Sequence, residues 1–153
     1  MNKTLVFDMD GTIADLYGVD GWLDMLRNED ARPYEIAKPM YRMDILGTVL
    51  KYLKMFGWKV VITTWLAKDA TDDYNNRVTK VKKEWLDKYN FPYDDFNAVV
   101  YGTPKADVTR AMGGYQILVD DNAEIRKGWN LGKTINANKN IMVELVALLD
   151  AAN

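Results

Sequence analysis

The chain contains neither cysteine nor histidine. Without cysteine there is no disulfide, no thiol nucleophile and no thiolate metal site. Without histidine there is no Ser-His-Asp or Cys-His catalysis and no His-ligated zinc. An excess of either charge is also missing. Twenty Lys and Arg against 22 Asp and Glu leave a net charge of −2, so any basic recognition surface has to be local. No apolar run approaches the roughly 20 residues needed to span a bilayer. Lys3 is followed only by Thr4-Leu5-Val6-Phe7 before Asp8, which does not read as a signal peptide. The expectation is a cytoplasmic protein with no membrane partner. If it is an enzyme, carboxylates, hydroxyls, lysines and a hard, oxygen-ligated cation must do the chemistry.

What is present suits one domain spanning residues 1–153, since 48% hydrophobic residues over this length can bury a core. Thr4-Leu5-Val6-Phe7 is a short apolar run that reads as a buried strand. Leu46, Val49, Leu50 and Leu53 recur at helical spacing, and Gly57 stops that helix. Lys59 to Thr63 is a second strand, and Val78, Val81, Trp85 and Tyr89 mark the next helix. Asn97 to Tyr101 is a third strand, and a helix from Pro104 to Met112 ends at Gly113-Gly114. Tyr115 to Val119 is a fourth strand, and Asp121-Asn122 can cap a helix running to Lys127. A short fifth strand at Lys133 to Asn136 and a helix carrying Ile141, Leu145, Leu148 and Leu149 complete the alternation.

Strands alternating with helices predict an α/β, Rossmann-like, mainly parallel five-stranded sheet with helices on both faces. Residues 15–41 do not fit the alternation. They follow the first strand and are expected to form a small cap or lid. In such folds the site lies at the carboxyl ends of the strands. Those ends carry Asp8 and Asp10, Thr63-Thr64, Lys105 in the loop after the third strand, and Asp120-Asp121. Carboxylates packed together are costly, and a divalent cation offsets the repulsion. Oxygen-only ligands favour Mg²⁺ over zinc.

These residues resemble the four signature motifs of the haloacid dehalogenase superfamily of phosphohydrolases. Asp8-Met9-Asp10-Gly11-Thr12 matches the family's Asp-x-Asp-Gly-Thr, and Thr64 closes the second strand. Lys105 and Asp120-Asp121 follow in the family's order. The resemblance implies Asp8 as the nucleophile that carries an aspartyl-phosphate. It implies Asp10 as the general acid and base, its carbonyl binding Mg²⁺. Gly11 and Thr12 would place backbone N–H groups near the phosphate. Thr64 and Lys105 would bind and neutralise a phosphoryl oxygen. Asp8, Asp10 and Asp121, with Asp120, would form the metal site. Thr63 stands beside Thr64 and Asp120 beside Asp121, so each of those assignments has a neighbouring alternative. A receiver-like phosphoacceptor or binding module uses similar residues, but there the acidic pair follows the first strand; here it comes last.

For the substrate, Trp65-Leu66-Ala67-Lys68-Asp69, Tyr101-Gly102-Thr103-Pro104-Lys105 and Leu118-Val119-Asp120-Asp121-Asn122 resemble the 5′(3′)-deoxyribonucleotidase branch. That resemblance implies a small-molecule phosphomonoester, a (deoxy)nucleoside monophosphate, as the partner. Trp65, Tyr17, Trp22, Tyr34 and Tyr41 are candidates to stack on the base. The roughly 26 residues from Asp15 to Tyr41 are short for that branch's cap, which leaves room for a larger substrate. The alternative is therefore a polynucleotide 3′-end phosphatase, its nucleic-acid partner tracked by Arg77, Lys80, Lys82, Lys83 and Lys88, unless these are simply a solvated helix face. A phosphatase of small sugar or amino-acid phosphates is a third candidate.

Overall fold

A computed structural model describes residues 2–152. Its elements in chain order are β1 (Lys3–Phe7), β2 (Ala14–Asp15), α1 (Trp22–Arg27), α2 (Arg32–Ile36), β3 (Lys38–Pro39), α3 (Met43–Met55) and β4 (Trp58–Trp65). Then follow α4 (Asp72–Lys88), β5 (Asp95–Val99), α5 (Lys105–Thr109), β6 (Tyr115–Asp120), α6 (Ala123–Lys127), β7 (Thr134–Asn136) and α7 (Ile141–Ala152). Five strands form one sheet in the order β5-β4-β1-β6-β7, every pair parallel. The expected α/β, Rossmann-like architecture is the one observed.

The side-chain period of two divides β1 between two cores. Leu5 and Phe7 face α3, α7 and the C-terminal half of α4 in the larger cluster, with Leu46, Leu50, Trp85 and Ile141. Val6 and Leu118 point the other way, onto Ala106 of α5 and Trp129. With both faces covered, the central strands can be almost continuously apolar, as β1 and β4 are.

From β1 the chain crosses to β4 on one side, then returns from β5 to β6 on the other. The connections therefore diverge at the carboxyl end of β1, the crevice where open α/β sheets place ligands. The register aligns Phe7 with Ile62 and with Val119. Asp8 and Asp120, just beyond Phe7 and Val119, and Thr64, two beyond Ile62, therefore open into the same crevice.

One expected boundary shifts. The third strand is Asp95–Val99, two residues earlier than the apolar run suggested. Asp94 fixes its start: its N–H donates to the Val60 carbonyl (2.7 Å), and its Oδ2 accepts from the Val60 N–H (2.8 Å). Val100 and Tyr101 continue past the sheet edge and are exposed. The helix around Val78 begins at Asp72, where the Thr71 hydroxyl accepts from the Tyr74 N–H (3.2 Å) as its N-cap.

Residues 15–41 form one 3-10 turn (Leu16–Gly18), α1, α2 and an antiparallel β2–β3 ribbon. The ribbon clamps the two ends of the segment together. Its body lies along α4, where Leu16 and Tyr34 pack with Tyr74 and Val78. Glu29, at the far turn, accepts from the Thr71 N–H (3.0 Å) and hydroxyl (2.7 Å). Among the described residues, no helix is long and apolar enough to cross a membrane.

Leu50 is wholly buried where α3 meets the sheet. Leu50→Ala is expected to cost about 2–5 kcal/mol, read as a lower urea midpoint at unchanged slope.

Candidate active site

Asp8 follows directly on β1, and its N–H donates to the Val119 carbonyl (2.9 Å), which extends the strand pairing by one residue. Asp8 is 8% exposed, and its carboxylate is held from two sides. Lys105 Nζ donates to Oδ1 (2.7 Å) and the Thr12 hydroxyl to Oδ2 (2.9 Å). Thr12 reaches back because the chain turns at once: the N–H groups of Thr12, Ile13 and Ala14 all donate to the Met9 carbonyl. Gly11, at φ +80°, makes the turn possible. A Cβ on Gly11 would collide with the Asp121 carboxylate and approach the Tyr17 ring to 2.8 Å. Glycine is therefore required here for space as well as conformation.

Lys105 opens α5 and is buried. It bridges Asp8 to Asp120, donating to Asp120 Oδ2 at 2.8 Å. Burial works against its charge, but the two carboxylates outweigh that and hold its pKa above the usual lysine value. Asp120 ends β6 with no exposed surface, and its Oδ1 accepts from the Asn122 N–H (2.9 Å). Asn122, rather than Asp121, caps α6. Asp121 is thereby left free to face the crevice.

Asp8, Asp120 and Asp121 each present an oxygen within 4.8 Å of the others'. One ammonium, Lys105, lies among these three carboxylates. Burial first, and then the Asp8 charge, push the Asp121 carboxyl up to about 8. A hard divalent cation suits this donor set: all ligands are oxygen, and the negative charge exceeds what the lysine neutralises. The Asp10 side chain lies outside the group, so its part in a metal site would fall to its backbone carbonyl.

Asp10 turns instead toward α4. Its Oδ2 accepts from Lys82 Nζ at 2.9 Å, and Oδ1 has no hydrogen-bond partner among the described residues. Burial raises its pKa, with Lys82 opposing. Lys82 also donates to the Thr64 hydroxyl (2.7 Å) and the Trp65 carbonyl (3.1 Å). Thr63 points to the opposite face, toward the Asn97 amide (3.5 Å). Of the two threonines, only Thr64 is beside Asp10.

A cavity of about 790 Å³ opens over these groups. Asp8, Asp10, Thr64, Lys105, Asp120 and Asp121 all line it. Trp65 and Tyr101 pack together on one wall, their ring centres 4.9 Å apart, and Tyr17 and Trp22 on another, at 5.0 Å. Trp65 is fixed by its Nε1–H, which donates to the Thr103 carbonyl (2.8 Å). Burial and the neighbouring carboxylates push the Tyr17 phenol well above its ordinary pKa, so it remains a donor. One stacking candidate is corrected. Tyr41 packs against the main core away from the cavity, its hydroxyl donating to the Lys139 carbonyl (3.3 Å). Tyr34 does line the cavity, though it is largely buried, and presents its ring to Lys82 (5.0 Å).

The basic helix is corrected at one position, Lys82, while Arg77, Lys80, Lys83 and Lys88 remain exposed. Lys82 is wholly buried in the site, Arg77 lies over Tyr74, Lys83 over Phe96 and Lys88 over Tyr89, and Lys80 is 3.8 Å from Glu84. Lys82 is the site residue that sequence reading missed. Its signal was its place in the stripe Tyr74-Val78-Lys82-Trp85, where an interior position carries a charge.

In metal-free protein the folded state holds a proton on Asp121 that the unfolded chain releases near the ordinary value of 3.8. Between these values the folded state binds more protons, so stability is full below 3.8 and lost as pH rises to about 8. Asp10 and Asp120 are raised in the same direction. Thermal melts in chelator are therefore expected to show Tm falling across this window. Asp121→Asn should flatten the fall, and added Mg²⁺ should reverse it at the alkaline end.

The fold is similar to that of the D,D-heptose 1,7-bisphosphate phosphatase of Burkholderia thailandensis, with a TM-score of 0.57. Identity is 12%, over 97% of this chain and 99% of that one. No family model and no curated protein matches the chain. At this identity, the likeness is one of fold: a parallel α/β sheet covered on both faces.

Proposed function

We propose that the chain is a Mg²⁺-dependent phosphomonoesterase that works through an aspartyl-phosphate on Asp8, with (deoxy)nucleoside monophosphates as its substrates. The observation that carries this reading is the setting of Asp8. It is a buried carboxylate held by Lys105 and Thr12, with a second carboxylate, Asp10, two residues on and open on one oxygen. A lone structural aspartate needs no such neighbour.

In this reading an oxygen of Asp8 attacks phosphorus in line as the bond from phosphorus to the leaving oxygen breaks. Asp10 gives its proton to that oxygen and becomes a carboxylate. It then takes a proton from the water that attacks the acyl-phosphate. The bond from phosphorus to Asp8 breaks, and inorganic phosphate leaves. Thr64 and Lys105 hold the phosphoryl oxygens, whereas the N–H groups of Gly11 and Thr12, expected from the sequence to face the phosphate, are engaged inside the turn with the Ala14 (2.8 Å) and Met9 (3.2 Å) carbonyls. Asp8, Asp120 and Asp121, with the Asp10 carbonyl, would hold Mg²⁺. When bound, the cation supplies the charge that lets an anionic nucleophile meet an anionic phosphate. Residues 15–41 serve as the cap, contributing Tyr17 and Trp22 to the cavity wall.

The nucleotide reading is supported by the aromatic pairs Trp65–Tyr101 and Tyr17–Trp22, which offer flat apolar surface beside the phosphate site. A second reading, a small sugar phosphate, is favoured by the solved neighbour, a heptose bisphosphate phosphatase. The polynucleotide reading keeps Arg77, Lys80, Lys83 and Lys88, which are exposed on α4, but loses Lys82, which turns inward to Asp10.

The test is turnover with Mg²⁺ of deoxynucleoside 5′- and 3′-monophosphates, sugar phosphates and a 3′-phosphorylated oligonucleotide. Nucleoside monophosphates should give the highest kcat/KM, and chelation should abolish activity reversibly. Asp8→Asn should lower kcat/KM by about 10⁴-fold or more. A preference for sugar phosphates would select the second reading. Turnover unaffected by Asp8→Asn would refute the mechanism.

A further inference from the structure

Lys82 comes from the middle of α4, yet it has no exposed surface and no role in the chemistry set out above. A lysine ammonium has three protons to donate and cannot accept. All three find partners: Asp10 Oδ2 at 2.9 Å, the Thr64 hydroxyl at 2.7 Å and the Trp65 carbonyl at 3.1 Å. The ring of Tyr34, 5.0 Å away, covers the ammonium on another side. Burying a cation costs several kcal/mol unless it is paired and fully bonded. An apolar side chain would fill the same place in the stripe of Tyr74, Val78 and Trp85 at no such cost.

Two consequences follow from the donor count. Lys82 donates to Thr64 Oγ, so the Thr64 hydroxyl proton cannot point back at Lys82 and is free to be donated into the cavity. Lys82 also takes Oδ2 of Asp10, which fixes the rotation of that carboxyl and turns Oδ1 out as its available oxygen. One ammonium thus orients two groups delivered by different strands.

We propose that Lys82 is a positioning residue. By bonding Asp10 and Thr64 together, it sets the geometry in which Asp10 exchanges a proton with the leaving oxygen while Thr64 donates to the phosphoryl group. This rests on the phosphohydrolase reading given above. Lys82 itself touches neither phosphate nor leaving group; it acts through Asp10 and Thr64.

Substrates that differ in their need for a proton separate this role from a merely structural one. An alkyl phosphate needs its leaving oxygen protonated, whereas p-nitrophenyl phosphate leaves as a stable phenolate. For Lys82→Met, kcat on the alkyl phosphate should fall by about 100-fold, the lower end of what general acid catalysis contributes. KM should change by less than about threefold, and kcat on p-nitrophenyl phosphate by about tenfold or less, since only positioning through Thr64 is lost. Lys82→Gln, which keeps an amide donor, should lie between Lys82→Met and wild type. Because Lys82 acts through Asp10, adding Lys82→Met to Asp10→Asn should lower alkyl phosphate turnover by less than about tenfold further.

Equal losses on both substrates, or losses that multiply fully in the double variant, would overturn the proposal and leave the phosphohydrolase reading intact. A wild type that turns over neither substrate would overturn both. Should neither Lys82 variant fold, the unaltered protein still decides by ¹H–¹⁵N spectroscopy of lysine side chains. A slowly exchanging ammonium signal that shifts in Asp10→Asn supports the tether, and a fast-exchanging one overturns it.

Discussion

Four carboxylates, Asp8, Asp10, Asp120 and Asp121, meet where two neighbouring parallel strands end. Left alone, they would repel one another in a partly dry crevice. Two buried lysines keep the arrangement together: Lys105 ties Asp8 to Asp120 across the β1–β6 pair, and Lys82 ties Asp10 to Thr64 across β1 and β4. Each lysine is supplied by a helix that must pack correctly before its ammonium arrives. Folding and assembly of the site are therefore one event. The proton that Asp121 holds in metal-free protein marks the charge that the lysines leave uncompensated, and a hard cation would take its place.

The division of labour between the two lysines follows from where they sit. Lys105 contacts both oxygen-rich centres that flank the β1–β6 seam, and its charge is directed at Asp8. Lys82 reaches the other side of the crevice and spends its protons on Asp10, Thr64 and the strand end. Asp8 and Asp10 thus have separate cationic supports, held on different helices. The segment 15–41 is tied to the second support: Tyr34 covers Lys82, and the Trp85 Nε1–H, one helical turn on, donates to the Ala37 carbonyl (2.8 Å).

The fold was largely legible in the sequence, because apolar strands buried on both faces and helices with one apolar stripe leave plain periodicities. The strand-end residues were legible for a related reason: polar side chains that break the apolar runs after Phe7, Val119 and Ile62 mark the edge of the sheet, although only packing separates Thr64, in the crevice, from Thr63 on the opposite face. What escaped were features that depend on tertiary packing. The Asp95–Val99 register is set by a side-chain bond from Asp94, which has no periodic signature. The segment 15–41 lacks regular spacing because it packs against α4 rather than the sheet. Lys82 looked like one more cation on a charged helix, since composition cannot reveal a lysine whose partners lie 18 and 72 residues away.

At the centre of this account is a covalent bond between phosphorus and Asp8. The most direct measurement is acid quench of the enzyme during steady turnover, followed by mass spectrometry of its peptides. The account predicts phosphate on the peptide that carries Asp8, formed and lost at rates that support kcat, and absent from Asp8→Asn. Sustained turnover with no phosphate on that peptide under the same quench, or with phosphate on another residue, would contradict it.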